Sequence, residues 1–293
     1  MAVECIWDAG ADLGEGVFWH ARERAVYWVD IIRSELHRIC ANGRRDSWHH
    51  PGRPSAVMPC ADGGLIATFE NGIRHIDCAT GVATPLLPLE EDVPHNRFND
   101  GHSDLYGNFW FGSMDDRQAQ KSGRFYCLNN KGQIAPLPAF GKFCITNGPA
   151  FSTDGKWVYF TDTLEKKIFR AALDARGTPG DPALYIDFSN QPGHPDGMCA
   201  DTEGGLWVCQ FGGHQVTRFD SDGSVASIVE IPAPNITKCA FGGDNLDTLY
   251  ITTAATGLDE DTRAAYPLSG GLFSVTTSYR GMAPVAVPRP PSR

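Results

Sequence analysis

The chain has no Cys-x-x-Cys pair, no surplus of basic residues, and no apolar run approaching the ~20 residues that span a bilayer. The first absence removes zinc ribbons and thioredoxin-like redox centres. Its nine cysteines are odd in number and scattered. Most stand beside apolar residues, as in Trp207-Val208-Cys209, where cysteine acts as a small core residue. The charge balance, 25 Lys and Arg against 35 Asp and Glu, gives −10. That sign is wrong for gripping phosphate backbones, so nucleic acid is excluded as a bulk partner, and an anionic membrane surface is disfavoured. Also missing are Gly-x-Ser-x-Gly, Gly-x-Gly-x-x-Gly, a Walker loop and His-Glu-x-x-His, which removes the nucleophile elbow, the dinucleotide fold, the P-loop and the zincin helix. Met1 to Cys5 shows no basic stretch leading into an apolar one, so no secretory signal is visible and a reduced, cytoplasmic protein is expected. Charged residues, at 20%, fall below the usual quarter, and segments with helical period are missing; Leu89 to Val93 makes at most one turn.

What the chain has is glycine, proline and short aromatic strands. Its 293 residues hold 32 Gly and 20 Pro, with 11% aromatic and 42% hydrophobic residues, enough for a core and for many tight turns. A short apolar strand recurs six times, centred on Trp28, Ile66, Trp110, Tyr159, Trp207 and Tyr250, at steps of 38 to 49 residues. Each copy is followed by a second strand pattern: Glu35–Cys40, Gly72–Cys78, Arg124–Leu128, Lys167–Ala171, Gln215–Phe219 and Gly271–Val275. Turns such as Asp62-Gly63-Gly64, Thr153-Asp154-Gly155 and Glu203-Gly204-Gly205 carry hairpin chemistry. A period of about 40–50 residues with several short strands per unit is the mark of a propeller blade. The expected fold is therefore all-β, a single six-bladed β-propeller over residues 1–293, with Val3 to Trp7 pairing with the last blade to close the ring. A β-sandwich predicts no such regular spacing.

In a propeller the innermost strand of every blade lines a central channel. Ahead of four of the aromatic strands, by 10 to 13 residues, stands a polar residue followed by glycine: Glu15-Gly16, Asp100-Gly101, Asn147-Gly148 and Asp196-Gly197. Blade two offers Ser55-Ala56 there, and blade six Thr237-Lys238. Any one of the pairs is an ordinary turn dipeptide. Four at a common register place oxygen-bearing side chains at one mouth of one channel, where carboxylates repel unless a cation neutralises them. Oxygen donors suit hard or borderline ions such as Ca²⁺, Mn²⁺ or Fe²⁺.

The segments Leu13-Gly14-Glu15-Gly16, Asn96-Arg97-Phe98-Asn99-Asp100-Gly101, Thr146-Asn147-Gly148-Pro149 and Pro195-Asp196-Gly197-Met198-Cys199 resemble those of the family of gluconolactonase, regucalcin (senescence marker protein) and the luciferin-regenerating enzyme. Cys239-Ala240-Phe241-Gly242-Gly243 and Gly270-Gly271-Leu272-Phe273 extend the resemblance over about residues 12 to 284. Among bacterial members the chain most resembles the pentonolactonases, such as xylonolactonase. The resemblance implies a propeller with one axial divalent metal, Fe²⁺, Ca²⁺, Mn²⁺ or Zn²⁺, and hydrolysis of a sugar lactone such as xylonolactone or gluconolactone. It implies metal ligands at Glu15, Asn147 and Asp196, with Asp196 also the catalytic acid/base, and substrate contacts at Arg97 and Asn99. The family's acidic contact after Gly-Thr-Met is not matched in Gly112-Ser113-Met114-Asp115-Asp116-Arg117; Asp116 or Asp115 stands nearest.

Two other functions fit the same scaffold: an esterase or organophosphate hydrolase, and a calcium-binding or partner-binding propeller without turnover. A polar mouth with Arg97, Asn99, Asp100, Asp115 and Asp116 suits a polyol better than an apolar ester. A monomer is expected, since propellers expose few strand edges. His49-His50, beside Pro51, reads as a solvated loop pair, while His194 is kept as a possible neighbour of the site. Asp220-Ser221-Asp222-Gly223 lacks the glutamate of an EF-hand and reads as a hairpin turn.

Overall fold

Strand-forming runs separated by glycine turns leave the chain little choice but short antiparallel pairings. The computed structural model, which describes residues 2–291, shows 24 strands among those residues. The first unit is typical: Gly14–His20, Ala25–Asp30, Glu35–Cys40 and Arg45–His49 pair in chain order as a four-stranded meander. Three further sheets repeat this plan. A fifth sheet has eight strands, but only the bridge Phe211–Asn235 joins its two halves. One half runs from His194 to Glu230. The other holds Asn235–Gly242, Thr248–Ala254 and Leu272–Thr276, completed by Val3–Trp7 from the opposite end of the chain. The expected pairing of the N-terminal strand with the last unit is thus observed. The fold is all-β, a set of small sheets of the kind that builds propellers.

The first strands of the units are Gly14–His20, Pro54–Pro59, Asn96–Ser103, Thr146–Phe151, His194–Ala200 and Asn235–Gly242. Each packs against the next in chain order, and the last packs against the first. All six carry an irregularity in their pairing at the same place: between Glu15 and Phe18, Pro54 and Val57, Phe98 and Gly101, Asn147 and Ala150, Pro195 and Met198, and Ile236 and Lys238. A bulge turns the strand and re-aims its side chains. The positive φ of Gly16 (61°) and Gly148 (78°) belongs to that bend.

The aromatic strand centres fill the space between neighbouring sheets. Trp28, Trp110 and Trp207 are fully buried, and Tyr250, half-buried, stacks on Trp19. Two of the indoles are pinned in the same way. Asp104 accepts from Trp110 Nε1 at 2.9 Å, and Asp201 accepts from Trp207 Nε1 at 2.8 Å. Each of these carboxylates also accepts two backbone N–H groups of the hairpin turn that follows it. One residue type thus fixes both the turn and the core.

Two expectations need correction. Glu260–Ala265 is an α-helix, where no helical segment was expected. Asp259 caps it by accepting from Thr262 N, and none of its residues is buried, so it has no apolar face to leave a period in the sequence. His50 is not solvated: it is 2% exposed and meets the Phe69 ring edge-on, whereas His49 is exposed. Asp220 to Gly223 is a hairpin turn, as expected, with Gly223 N donating to Asp220 O.

After the last strand the chain crosses the far ends of the first strands. Thr202 N donates to Arg280 O, Gly281 packs on Phe241, and Val287 pairs in parallel with Cys60. Met282 to Val285 lie over His102, Ser103, Phe151 and Cys199, enclosing only about 40 Å³.

Candidate functional site

At the other end of those strands lies a cavity of about 320 Å³, within the range of small-ligand sites. Glu15, Arg97, Asn99, Asn147 and Asp196 all line it, each from the bulged stretch of a first strand or just before it. Five of the residues singled out in the sequence therefore converge on one hollow. Asp116 does not line it. Its carboxylate instead pairs with Arg97 Nε at 2.8 Å and with Arg53 Nη2 at 2.9 Å, and Arg53 in turn meets Glu70. Asp115 is buried and accepts the backbone N–H groups of Arg117, Ala119 and Gln120, holding the loop that brings Gln118 to the cavity.

The polar groups form one chain of hydrogen bonds. Arg97 Nη1 donates to Asn99 Oδ1 at 2.7 Å, and Asn99 Nδ2 donates to Asn147 Oδ1 and to Thr146 O, both at 2.8 Å. Asn147 Nδ2 donates to Thr163 Oγ1, which donates to Pro195 O beside Asp196. Both amides are thereby oriented, with the Asn147 oxygen held on the side of Asn99. Glu15, Asp100 and Asp196 repeat one local bond, each accepting the N–H of the glycine that follows it, at 3.0, 2.7 and 2.9 Å.

Electrostatics separates these three carboxylates. Burial, and then repulsion by Glu15 and Asp100, holds the Asp196 carboxyl well above the usual range. Burial and Asp100 push Glu15 up, against the pull of Lys238. Asp100 is absent from the cavity wall: it faces Lys238 Nζ and accepts Gly148 N at 3.0 Å. Burial draws the Arg97 guanidinium down, and Asp116 opposes that.

The wall includes residues the sequence did not single out: Leu13, Met114, Ile145, Leu164 and Phe211 on the apolar side, with Gln118, Thr163 and Thr256 as polar additions. They sit in turns and strand ends whose direction only the folded chain fixes. His194, kept as a neighbour, does line the cavity, with Nδ1 3.1 Å from Thr163 O.

The donor set suits a divalent ion. Glu15, Asn147 and Asp196 offer oxygen only, and the two carboxylates are buried, mutually repelling and raised, a state that a cation relieves. Among the described residues no three His, Cys, Asp or Glu side chains are grouped to hold a metal, and this set has two such residues and an amide.

Residues 13–255 match the SMP-30/Gluconolactonase/LRE-like region. The chain is 31% identical to the 6-deoxy-6-sulfogluconolactonase of Pseudomonas putida, over 96% of this chain and 97% of that one. It is 34% identical to the L-arabinolactonase of Azospirillum brasilense, over 94% and 92%. The crystal structure of a calcium-binding protein, regucalcin, from Agrobacterium tumefaciens str. C58 superposes with a TM-score of 0.93 at 32% identity, covering 97% of each chain. The chain belongs to the SMP-30/gluconolactonase/LRE-like family.

Proposed function

We propose that this protein hydrolyses a sugar lactone to the free aldonic acid, a pentonolactone such as xylonolactone or else a gluconolactone. The scaffold of this reading is one six-bladed propeller, supported by the ring of six first strands. The observation that carries it is the convergence of Glu15, Asn147, Asp196, Arg97 and Asn99 on one cavity. Relatives named as lactonases of three kinds of sugar acid, among them the pentonolactonase of Haloferax volcanii, point to the same substrate class.

In this reading Glu15, Asn147 and Asp196 hold one divalent ion, which supplies Lewis acidity toward the lactone carbonyl. Asp196 has one oxygen, Oδ1, engaged by Gly197 N–H, so Oδ2 is the atom that takes a proton from the attacking water. As the ring C–O bond breaks, the same oxygen returns the proton to the departing hydroxyl. Arg97 Nε and Nη1 are already engaged by Asp116, Phe98 O and Asn99, so Nη2 is the nitrogen that donates to the sugar hydroxyls and the new carboxylate, with Asn99 Oδ1 as a further acceptor. Asp116 keeps Arg97 in place. The apolar wall formed by Met114, Ile145 and Phe211 excludes water from the unsubstituted faces of the ring.

The test is proton release from xylonolactone and gluconolactone by the protein as purified, after chelation, and after adding back single divalent ions. Activity lost on chelation and restored by one ion supports the reading. No hydrolysis of either lactone with any ion overturns it.

A further inference from the structure

Lys238 stands where the sixth strand breaks the polar-glycine pattern, and its surroundings give it a role. Its Nζ is fully buried, faces Asp100 Oδ1, and lies 3.4 Å from Gly101 O. Its stem runs beside the residue after Asp196: a Cβ at Gly197 would lie 2.7 Å from Lys238 Cγ and 2.8 Å from Thr237 O. The lysine stem therefore passes directly behind the glycine that follows Asp196, and its ammonium lies within the ring of first strands, between Asp100 and Gly101 O. Asp100 makes the same bond to its following glycine as Glu15 and Asp196 make to theirs, yet it alone faces away from the cavity, bound to Lys238 and to Gly148 N.

We propose that Lys238 is a positioning residue for the metal: a protein-supplied cation that holds Asp100 out of the coordination set and restricts the site to one divalent ion. This rests on the metal reading of Glu15, Asn147 and Asp196. Four oxygen-bearing side chains at one register would otherwise present three carboxylates, a charge that favours either a second ion or a very tightly held one. The ammonium neutralises one of them and repels an incoming cation as well. Both effects loosen the binding of the ion. Gly197 is part of the device, because any side chain there would collide with the lysine stem.

Three variants test this by their signs: Lys238→Met, Asp100→Asn, and the double substitution, which leaves no charge at either position. Calcium and manganese binding to the purified, chelated full-length protein is measured by titration calorimetry, with thermal melts in each ion. Lys238→Met is expected to bind at least tenfold more tightly or to take up two ions per chain. Asp100→Asn, which leaves the ammonium unpaired beside Glu15 and Asp196, is expected to bind at least tenfold more weakly. The double variant is expected to return to within about threefold of the parent, with one ion. A purely structural role would weaken binding in every variant, and that result, or unchanged affinity and stoichiometry in Lys238→Met, overturns the proposal. Should Lys238→Met melt below room temperature without metal, its rise in Tm on adding ion must exceed the parent's; an equal or smaller rise counts against the proposal. A parent protein that binds neither of these ions, nor Fe²⁺ or Zn²⁺ in the same titration, defeats the metal reading itself, a separate outcome.

Discussion

The Asn99 side chain donates to Asn147 Oδ1 at 2.8 Å while accepting from Arg97 at 2.7 Å. This relay ties the residue expected to hold the metal to the residues expected to hold the sugar. Asn99→Asp keeps the acceptor for Arg97 but removes the donor to Asn147, freeing that amide to turn its nitrogen inward. Lactone hydrolysis is expected to fall at least tenfold, with Tm within a few degrees of the parent. Unchanged kcat/KM in Asn99→Asp would show that the relay does not serve the site.

Asp196→Asn removes the proton acceptor and one charged ligand while keeping the shape and the bond from Gly197. A loss of general-base function is worth about 10²–10⁴-fold, so kcat is expected to drop by at least that range. The check is stopped-flow proton release together with a circular dichroism melt: a folded Asp196→Asn variant with more than a tenth of parental kcat excludes Asp196 from the chemistry.

Ion binding should also be visible as stability. A ligand that binds only the folded state adds about 2.7 kcal/mol at a hundredfold excess over Kd. For a chain this long each kcal/mol moves Tm by roughly 1.5–2 °C. Chelation is therefore expected to lower Tm by several degrees and re-addition of the ion to restore it. Glu15→Gln should blunt that response.

Asp201 offers a stability test far from the chemistry. It is fully buried and accepts Arg218 Nε at 2.7 Å and Trp207 Nε1 at 2.8 Å, as well as two turn N–H groups. Asp201→Ala leaves a buried guanidinium with one partner fewer, and removing one member of such a pair costs about 3–5 kcal/mol. Urea unfolding should show that loss, whereas kcat of the folded fraction stays near the parental value.

His37 and His50 make the fold sensitive to acid. Burial pulls both imidazoles down from 6.5 to about 4, with Arg74 adding to the effect at His50. The folded state keeps them neutral, while the unfolded chain takes up protons below about pH 6.5. Their contribution to stability is whole above that pH and is lost as pH falls toward 4. In His50→Phe, whose ring keeps the contact with Phe69, the loss of unfolding free energy between pH 7.5 and 4.5 should shrink by about 2–3 kcal/mol. An identical pH slope in parent and variant rules the contribution out.

The parts of the fold legible in the sequence are those buried on both sides. Trp28, Trp110 and Trp207 mark strands packed between neighbouring sheets, and such strands read as unbroken apolar runs. The outer strands, such as Arg45–His49 and Val225–Glu230, are mostly exposed and carry no distinct pattern. The short helix after Asp259 is exposed on every face and leaves no periodic trace. At the site, Glu15, Asn147 and Asp196 were legible because a bulge recurs with the polar residue ahead of a glycine, which positive φ favours at Gly16 and Gly148 and close packing on Lys238 requires at Gly197. Lys238 broke that pattern and so gave no signal, although it sits on the same kind of bulge. Asp116 was named as a sugar contact because it stands, with Asp115, nearest to the acidic contact that the family resemblance implies; in space it reaches the cavity only through Arg97.

The strap from Arg280 to Val287 lies across the ends of the strands remote from the 320 Å³ cavity. With the strap over the remote ends, lactone and acid are expected to use the same mouth, the one at the strand ends that carry Glu15, Asn147 and Asp196. An aldonate lingering at Arg97 bars the next lactone from the same spot, so the acid is expected to act as a purely competitive brake on turnover, and a cell that lets its acid accumulate slows its own ring opening.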